Sequence, residues 1–296
     1  MLAPVVVFAY NRDTHLKRTL DALQKNRLAK ETNVYIFVDG PKTEKDKEKV
    51  RLVQEVTKQY INTDLFKNVI VEFSDKNKGL ADSIIGGVTK VIKKEKKVIV
   101  LEDDLLTAPD FLEYMNQGLE YYQNDKNVGA ISGFCPALRR KMKDKKGIYK
   151  SRTGNSCGWA TWENVWLDAD WHVKDYDAFV KDKKMQKSFN RIQYGISDIL
   201  IRQMRGELSS WAVRWDYYFW KNSLWTIYPV KSHIENIGFD GKGTTSNNLW
   251  DRRRKITAVE SRYVYTKFED LEDLTRETAN SFKPGILEIL YDIIKK

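Results

Sequence analysis

The chain of 296 residues is long enough for one large α/β domain or two small ones, and its 42% hydrophobic content supplies an ordinary buried core. Its 51 Lys and Arg against 41 Asp and Glu leave a net charge of +10, which favours anionic partners such as nucleotides or phospholipid surfaces. No apolar run approaches the roughly 18 to 20 residues of a membrane span, no signal peptide pattern precedes the first strand, and Cys135 and Cys157 have no zinc-ligand spacing. These features exclude a membrane-embedded protein, a disulfide scaffold and a zinc module, and the cytoplasm is the expected location. The basic runs at 93–97, 139–146 and 251–255 read as solvated helix ends or loops. None has the glycine and aromatic interleaving of an RNA-binding sheet, so no nucleic acid partner is expected.

In chain order, "PVVVFAY" predicts a strand, "TLDALQK" a helix, "NVYIFVD" a second strand and "KEKVRLVQEVTKQYI" a second helix. "NVIVEFS" continues as a strand, "LADSIIGGVTKVIKKE" as a helix and "VIVLED" as a fourth strand. This βαβαβαβ order is the pattern of a mostly parallel α/β sheet flanked by helices, which binds ligands beyond the carboxyl ends of its strands. Those ends carry Asn11 and Arg12, then Asp39, then the "SDKNKG" stretch with Lys78, then Glu102, Asp103 and Asp104. "TAPD" at 107–110 has capping-box spacing, so Asp110 is expected to cap the helix "FLEYMNQGLEYYQ". "VGAISGF" predicts a further strand, and residues 139–150 read as a mobile loop. All nine tryptophans follow that loop, and the chain closes with a predicted amphipathic helix carrying Ile286, Leu287, Ile289, Leu290, Ile293 and Ile294 on one face. Docking on the protein body is the plainer use of that helix, and peripheral contact with the inner face of a membrane is the alternative.

Three consecutive acids after a fully apolar strand repel one another and need a purpose. A hard ion such as Mn²⁺ or Mg²⁺ takes oxygen ligands and often keeps only one or two protein carboxylates, and Asp103 and Asp104 suit that duty. Side chains alternate along a strand, so all three acids are not expected to bind one ion equally. The chain has no Walker sequence, no Gly-x-Gly-x-x-Gly after its first strand and no Gly-x-Ser-x-Gly elbow. Of three histidines only His233 is near a candidate site, and a structural imidazole is its expected role.

The stretches "VVVFAYNRDTHLKRTLDAL", "VDG", "VIVLEDDLLTAPDFLEYM", "GNSCGWATWENVW" and "PVKSHIENIGFDGKGTT" resemble GT-A fold glycosyltransferases, namely the bacterial family 2-like sugar transferases and the N-acetylglucosaminyltransferase I group. The resemblance covers roughly residues 4–245. It implies one GT-A domain over 1–296, with a nucleotide-sugar-binding half at 1–104 and an acceptor-binding half at 105–296. It also implies a UDP-sugar donor, a divalent metal, and a glycan, glycoprotein or lipid-linked acceptor. By that resemblance Ala9, Asn11 and Arg12 pack against the nucleoside, Asp39 accepts from the uracil N3–H, and Lys78 approaches the diphosphate. Glu102 and Asp103 lie beside ribose and sugar, and Asp104 binds the metal. An inverting transfer also needs a base for the acceptor hydroxyl. Asp216 in "WAVRWDYYFW" is the matching candidate, with neighbouring tryptophans to perturb its pKa and to stack on sugars. Tyr217 follows it where the related pattern has a second acid, so Glu207 is a rival. The glycine-rich stretch with Lys242 reads either as a lid over the diphosphate or as an ordinary turn.

Two other readings remain open at the level of sequence. A nucleotidyltransferase would also use strand-end acids and Mg²⁺, but it calls for a glycine-rich loop after the first strand, which "YNRDTHLK" lacks. A carbohydrate-binding protein that has lost catalysis would use the tryptophans and would have no need of the acids.

Overall fold

The computed structural model describes residues 1–136, 147–238 and 265–281. Lys242, the basic runs at 139–146 and 251–255, and the expected amphipathic helix at 286–294 lie outside the described residues. Four strands form the parallel part of the sheet: β1 (Val5–Ala9), β2 (Asn33–Val38), β3 (Asn68–Phe73) and β4 (Lys97–Glu102). β1 lies between β2 and β4, and β3 is outermost. Every side chain of β1 is buried, as expected of a β-branched run covered on both faces. Val5 and Val7 join one apolar cluster while Val6 and Phe8 join another, which is the two-residue alternation of a strand.

The first cluster is closed by α1 (Asp13–Leu23), α2 (Lys47–Lys58) and α4 (Phe111–Tyr121), through Leu16, Leu20, Val50, Val53, Leu112 and Met115. On the opposite face, α3 (Leu80–Glu95), α5 (Glu163–Asp168) and α9 (Trp211–Lys221) cover the sheet, with Ile84, Val88, Trp166, Trp211 and Trp215 at the contact. The sheet continues beyond β4 through β8 (Trp159–Trp162), β6 (Val128–Ser132), β9 (Trp225–Pro229) and β7 (Ile148–Ser151). In this second half antiparallel pairs interrupt the parallel order. A satellite core of α6 (Tyr176–Lys181), α7 (Lys183–Phe189) and α8 (Ile196–Met204) packs Phe179, Phe189 and Leu200 against Tyr217 of α9. A short helix, α10 (Thr275–Ser281), lies beside β7.

Three expectations change. Residues 148–151 form β7, paired with β9, where a loop is expected through residue 150. Between β4 and α4 the chain adds β5 (Leu105–Thr107), paired antiparallel with β10 (Ile234–Asn236). Asp110 occupies the N-cap position of α4, yet its carboxylate makes no capping bond. It pairs with His233 Nδ1 at 3.1 Å, both side chains fully buried, and the imidazole stacks on Tyr114. Asn26 takes over the cap, its Oδ1 accepting the Leu112 N–H at 3.0 Å.

Candidate active site

Parallel register carries the carboxyl ends of β1, β2 and β4 to one edge: Ala9 lies opposite Val38, and Phe8 opposite Glu102. Strand geometry ends at Glu102 and a turn begins, so the alternation that would separate Asp103 from Asp104 no longer applies. Arg12, at the N-cap of α1, pairs with both acids, and its distance to Asp104 Oδ2 is 3.0 Å. Thr19 of α1 donates to the Asp103 carbonyl at 2.7 Å, which fixes the turn against the helix. Two aspartates thus share one guanidinium, with Glu102 beside them. Burial, with repulsion from Asp104 and Asp103, raises Glu102 far above the usual carboxylate range. Burial raises Asp103 as well, against the pull of Arg12. Burial opposes the charge on Arg12, yet the two aspartates hold its pKa above the ordinary value.

This surplus of negative charge fits a bound cation. Among the described residues no group of three or more His, Cys, Asp or Glu side chains has a metal-holding arrangement. A hard divalent ion that keeps most of its positions for phosphate and water needs only one or two carboxylates from the protein, and Asp103 and Asp104 are oxygen donors of that kind. The "NIG" segment, which begins at the last residue of β10, closes over Asp104. Ile237 N–H donates to the Asp104 carbonyl at 2.9 Å, and a Cβ on Gly238 would stand 2.0 Å from Asp104 Oδ2. Only glycine allows that approach.

Asp39 serves its own loop. Its two oxygens accept from the N–H groups of Gly40, Lys78 and Gly79 and from Asn77 Nδ2, all within 3.0 Å. Four donors fill the lone-pair sites of a carboxylate, and the loop entering α3 is pinned by them. The Lys78 side chain lines a cavity of about 200 Å³ with Asp39, Ser74 and Asp82. Ala9 takes part through its backbone, its carbonyl accepting the Asp39 N–H at 2.9 Å. Asn11 Nδ2 donates to Asp46 Oδ1 at 3.4 Å, at the same edge.

Asp216 lies elsewhere, on α9 among aromatic rings. It is 9% exposed, Oδ1 has no hydrogen-bond partner among the described residues, and burial pushes its pKa up to about 7 against the pull of the Gly154 N–H. A Cβ on Gly154 would lie 2.9 Å from Asp216 Oδ1 and 3.0 Å from Trp215 Cδ1. Four tryptophans near it contribute burial and offer no faces to a ligand. Trp159, Trp166, Trp211 and Trp215 are at most 2% exposed and pack on one another at 5.2–6.4 Å between ring centroids. Glu207 is placed differently, in a half-exposed turn after α8, where it pairs with Arg202 at 3.4 Å and Arg205 at 4.0 Å.

Residues 153–157, without regular secondary structure, link the two carboxylate sites. Gly154 touches Asp216 at one end. At the other, burial and the nearby charges of Glu102 and Asp104 push the Cys157 thiol up to about 12, and Asn236 Nδ2 lies 3.9 Å from its sulfur. Two residues separate Gly154 from Cys157, so their Cα atoms are at most about 11 Å apart. Arg12 as counterion to the motif, Cys157 and Asn236 beside it, and Asp39 as loop anchor escape sequence reasoning, because each acts on partners distant in the chain. The "CGW" and "NIG" stretches are the local signal that was available.

Comparison with known proteins places the chain in a family. The chain is 24% identical over 196 residues to the alpha-1,3-mannosyl-glycoprotein 2-beta-N-acetylglucosaminyltransferase of Arabidopsis thaliana, covering 63% of this chain and 44% of that protein. Thus it spans less than half the length of that relative. Among solved structures, GalNAc-T7 with UDP, GalNAc and Mn²⁺ is similar with a TM-score of 0.48 and 13% identity, over 78% of this chain and 43% of that one. Residues 1–349 of S. aureus TarS give a TM-score of 0.45 and 13% identity, over 79% and 60%. The sequence model of the GNT-I family matches residues 1–207, more than two thirds of the length, and the chain belongs to that family.

Proposed function

We propose that the protein is a metal-dependent, inverting glycosyltransferase that moves a sugar from a UDP-sugar to the hydroxyl of a glycan, glycoprotein or lipid-linked acceptor. Family membership and the name of the Arabidopsis relative favour N-acetylglucosamine as the sugar. The observation that carries the reading is the pairing of two unlike carboxylate sites across residues 153–157: a clustered, cation-demanding motif on one side and a lone buried acid on the other. A cytoplasmic location is part of the proposal, and no helix among the described residues is long and apolar enough to cross a membrane.

In this reading the carboxyl edge of β1, β2 and β4 receives the donor. Asp39 holds the loop at 77–79 in place, and Lys78 supplies positive charge toward the diphosphate. Asp104 would hold Mn²⁺ or Mg²⁺, which when bound stabilises the charge that builds on the departing diphosphate. Arg12 shares that side and, paired with Asp103 and Asp104, keeps both oriented. Asp216 faces the acceptor, and Oδ1 takes the hydroxyl proton as the oxygen attacks the anomeric carbon. A pKa near 7 suits that duty, since a base poised near the working pH combines availability with driving force. Buried tryptophans exclude water around it, which favours transfer over hydrolysis.

The test is to incubate the protein with UDP-N-acetylglucosamine, Mn²⁺ and a panel of oligosaccharide acceptors, following UDP release and the product's anomeric configuration by NMR. A β-linked product from the α-linked donor supports the reading. An α-linked product would exclude inversion, and no turnover of UDP-N-acetylglucosamine, nor of other UDP-sugars tried in its place, would exclude the activity.

A further inference from the structure

The segment between the two carboxylate sites has no strand or helix ladder to hold it, and its glycine adds backbone freedom where the base needs a fixed neighbour. Two side chains supply the missing restraint. Tyr228, on β9 and 2% exposed, places its hydroxyl 3.0 Å from the Gly154 carbonyl and 3.1 Å from the Thr153 carbonyl and Thr153 Oγ1. Its ring stacks on Tyr149 with 5.4 Å between centroids, which fixes where the hydroxyl points. At the far end Asn155 folds over its own segment. Oδ1 accepts the Cys157 N–H at 2.9 Å, and Nδ2 donates to the Cys157 carbonyl at 3.1 Å and to Ser132 Oγ of β6.

We propose that Tyr228 and Asn155 are positioning residues that clamp residues 153–157 and so set the placement of Asp216 relative to the acid motif. The proposal rests on the reading of Asp216 as the base. Neither residue touches the Asp216 carboxylate through a hydrogen bond. Tyr228 acts through the Gly154 backbone, whose N–H is the polar group that offsets the burial of Asp216, and the Tyr228 hydroxyl from β9 is the titratable neighbour facing it. Asn155 acts on the end of the segment that lies beside Glu102 and Asp104. Misplacing a reacting group by about 1 Å can cost on the order of 100-fold in rate. A clamp on this segment is therefore a lever on turnover, and at its Tyr228 end one that leaves donor binding alone.

The experiment compares Tyr228→Phe and Asn155→Ala with the unsubstituted protein, after thermal melts establish that each is folded. UDP binding with Mn²⁺ is measured by calorimetry, UDP release from UDP-N-acetylglucosamine is measured across pH, and the Asp216 carboxyl is titrated by ¹³C NMR. Tyr228→Phe keeps the ring and its stacking and removes only the hydroxyl. The expected result is unchanged UDP affinity in Tyr228→Phe, a fall of about tenfold or more in kcat for both variants, and in Tyr228→Phe an Asp216 midpoint above its starting value. The acid limb of the rate profile should move upward with it, because the Gly154 N–H is no longer held against the carboxylate. Rates within about twofold of the starting protein for both variants, with the midpoint unmoved, would overturn the proposal. So would a fall in kcat with an unmoved midpoint in Tyr228→Phe, which marks a general structural loss. Asp216→Asn separates this from failure of the underlying reading: full turnover in that variant removes the base assignment itself, whereas an inactive Asp216→Asn beside a fully active Tyr228→Phe and Asn155→Ala removes only the clamp.

Discussion

At the end of β4 two aspartates pair with one guanidinium beside a third acid, Glu102, while on α9 a single carboxylate sits against stacked tryptophans with no ion-pair partner among the described residues. Both sites raise pKa values, by different physics. In the motif burial is reinforced by like charge, so a cation is the natural remedy; at Asp216 burial acts alone, so a proton is. The contrast teaches how one fold separates charge stabilisation from proton transfer. Clustering acids makes a place for a cation and its phosphates, and isolating one acid makes a base.

The most severe way to break this contrast is to neutralise the isolated acid without changing its shape. Asp216→Asn should lower turnover by about 10² to 10⁴-fold while leaving UDP binding intact, measured by UDP release and calorimetry. Turnover within a few-fold of the starting protein would reduce Asp216 to a buried structural residue.

The same variant sharpens the contrast through stability. The carboxyl of Asp216 binds its proton more tightly folded (about 7) than at the ordinary 3.8, so the neutral acid's favourable contribution is present below about pH 4 and lost as pH rises through 7. Denaturant melts at pH 8 should therefore find Asp216→Asn more stable than the unsubstituted protein by a few kcal/mol, with the difference shrinking toward pH 4. A pH-independent difference would mean that the acid is not desolvated.

Smaller effects probe the space around it. Gly154→Ala should cost about 1 to 3 kcal/mol in denaturant unfolding, because its methyl group must displace Asp216 Oδ1 or Trp215. An unchanged unfolding midpoint would contradict that packing. Glu207→Gln should alter turnover by less than about twofold and stability by less than about 1 kcal/mol, as expected for a half-exposed ion pair. A large loss of turnover there, with Asp216→Asn active, would exchange the two roles.

The parallel half was legible in the sequence because β1, β2 and β4 are largely buried and therefore read as nearly unbroken apolar runs, while the outer strand β3 is marked by its β-branched residues. The acids stood out for the same reason: they end such a run. The rest was harder to read for physical causes. β5 and β10 are three residues each, too short to display a period. In the second half both the strand "WATW" and the helix α9 are rich in large aromatics, so hydrophobicity alone does not separate them. Asp110 carries the spacing of a cap, yet His233, 123 residues away, takes its carboxylate. Asp39 and Arg12 were recognisable as strand-end residues, but their partners, the loop at 77–79 and the acids at 103 and 104, come together only through the fold.

The most direct test of the account is calorimetric titration of UDP into the protein with and without Mn²⁺, repeated on Asp104→Ala. The account predicts UDP binding that depends on Mn²⁺ and that falls by more than about 100-fold in the variant, beyond the loss typical of a residue that only supports a metal ligand. Equal UDP binding with and without the metal, or an Asp104→Ala protein that binds as the original does, would contradict it.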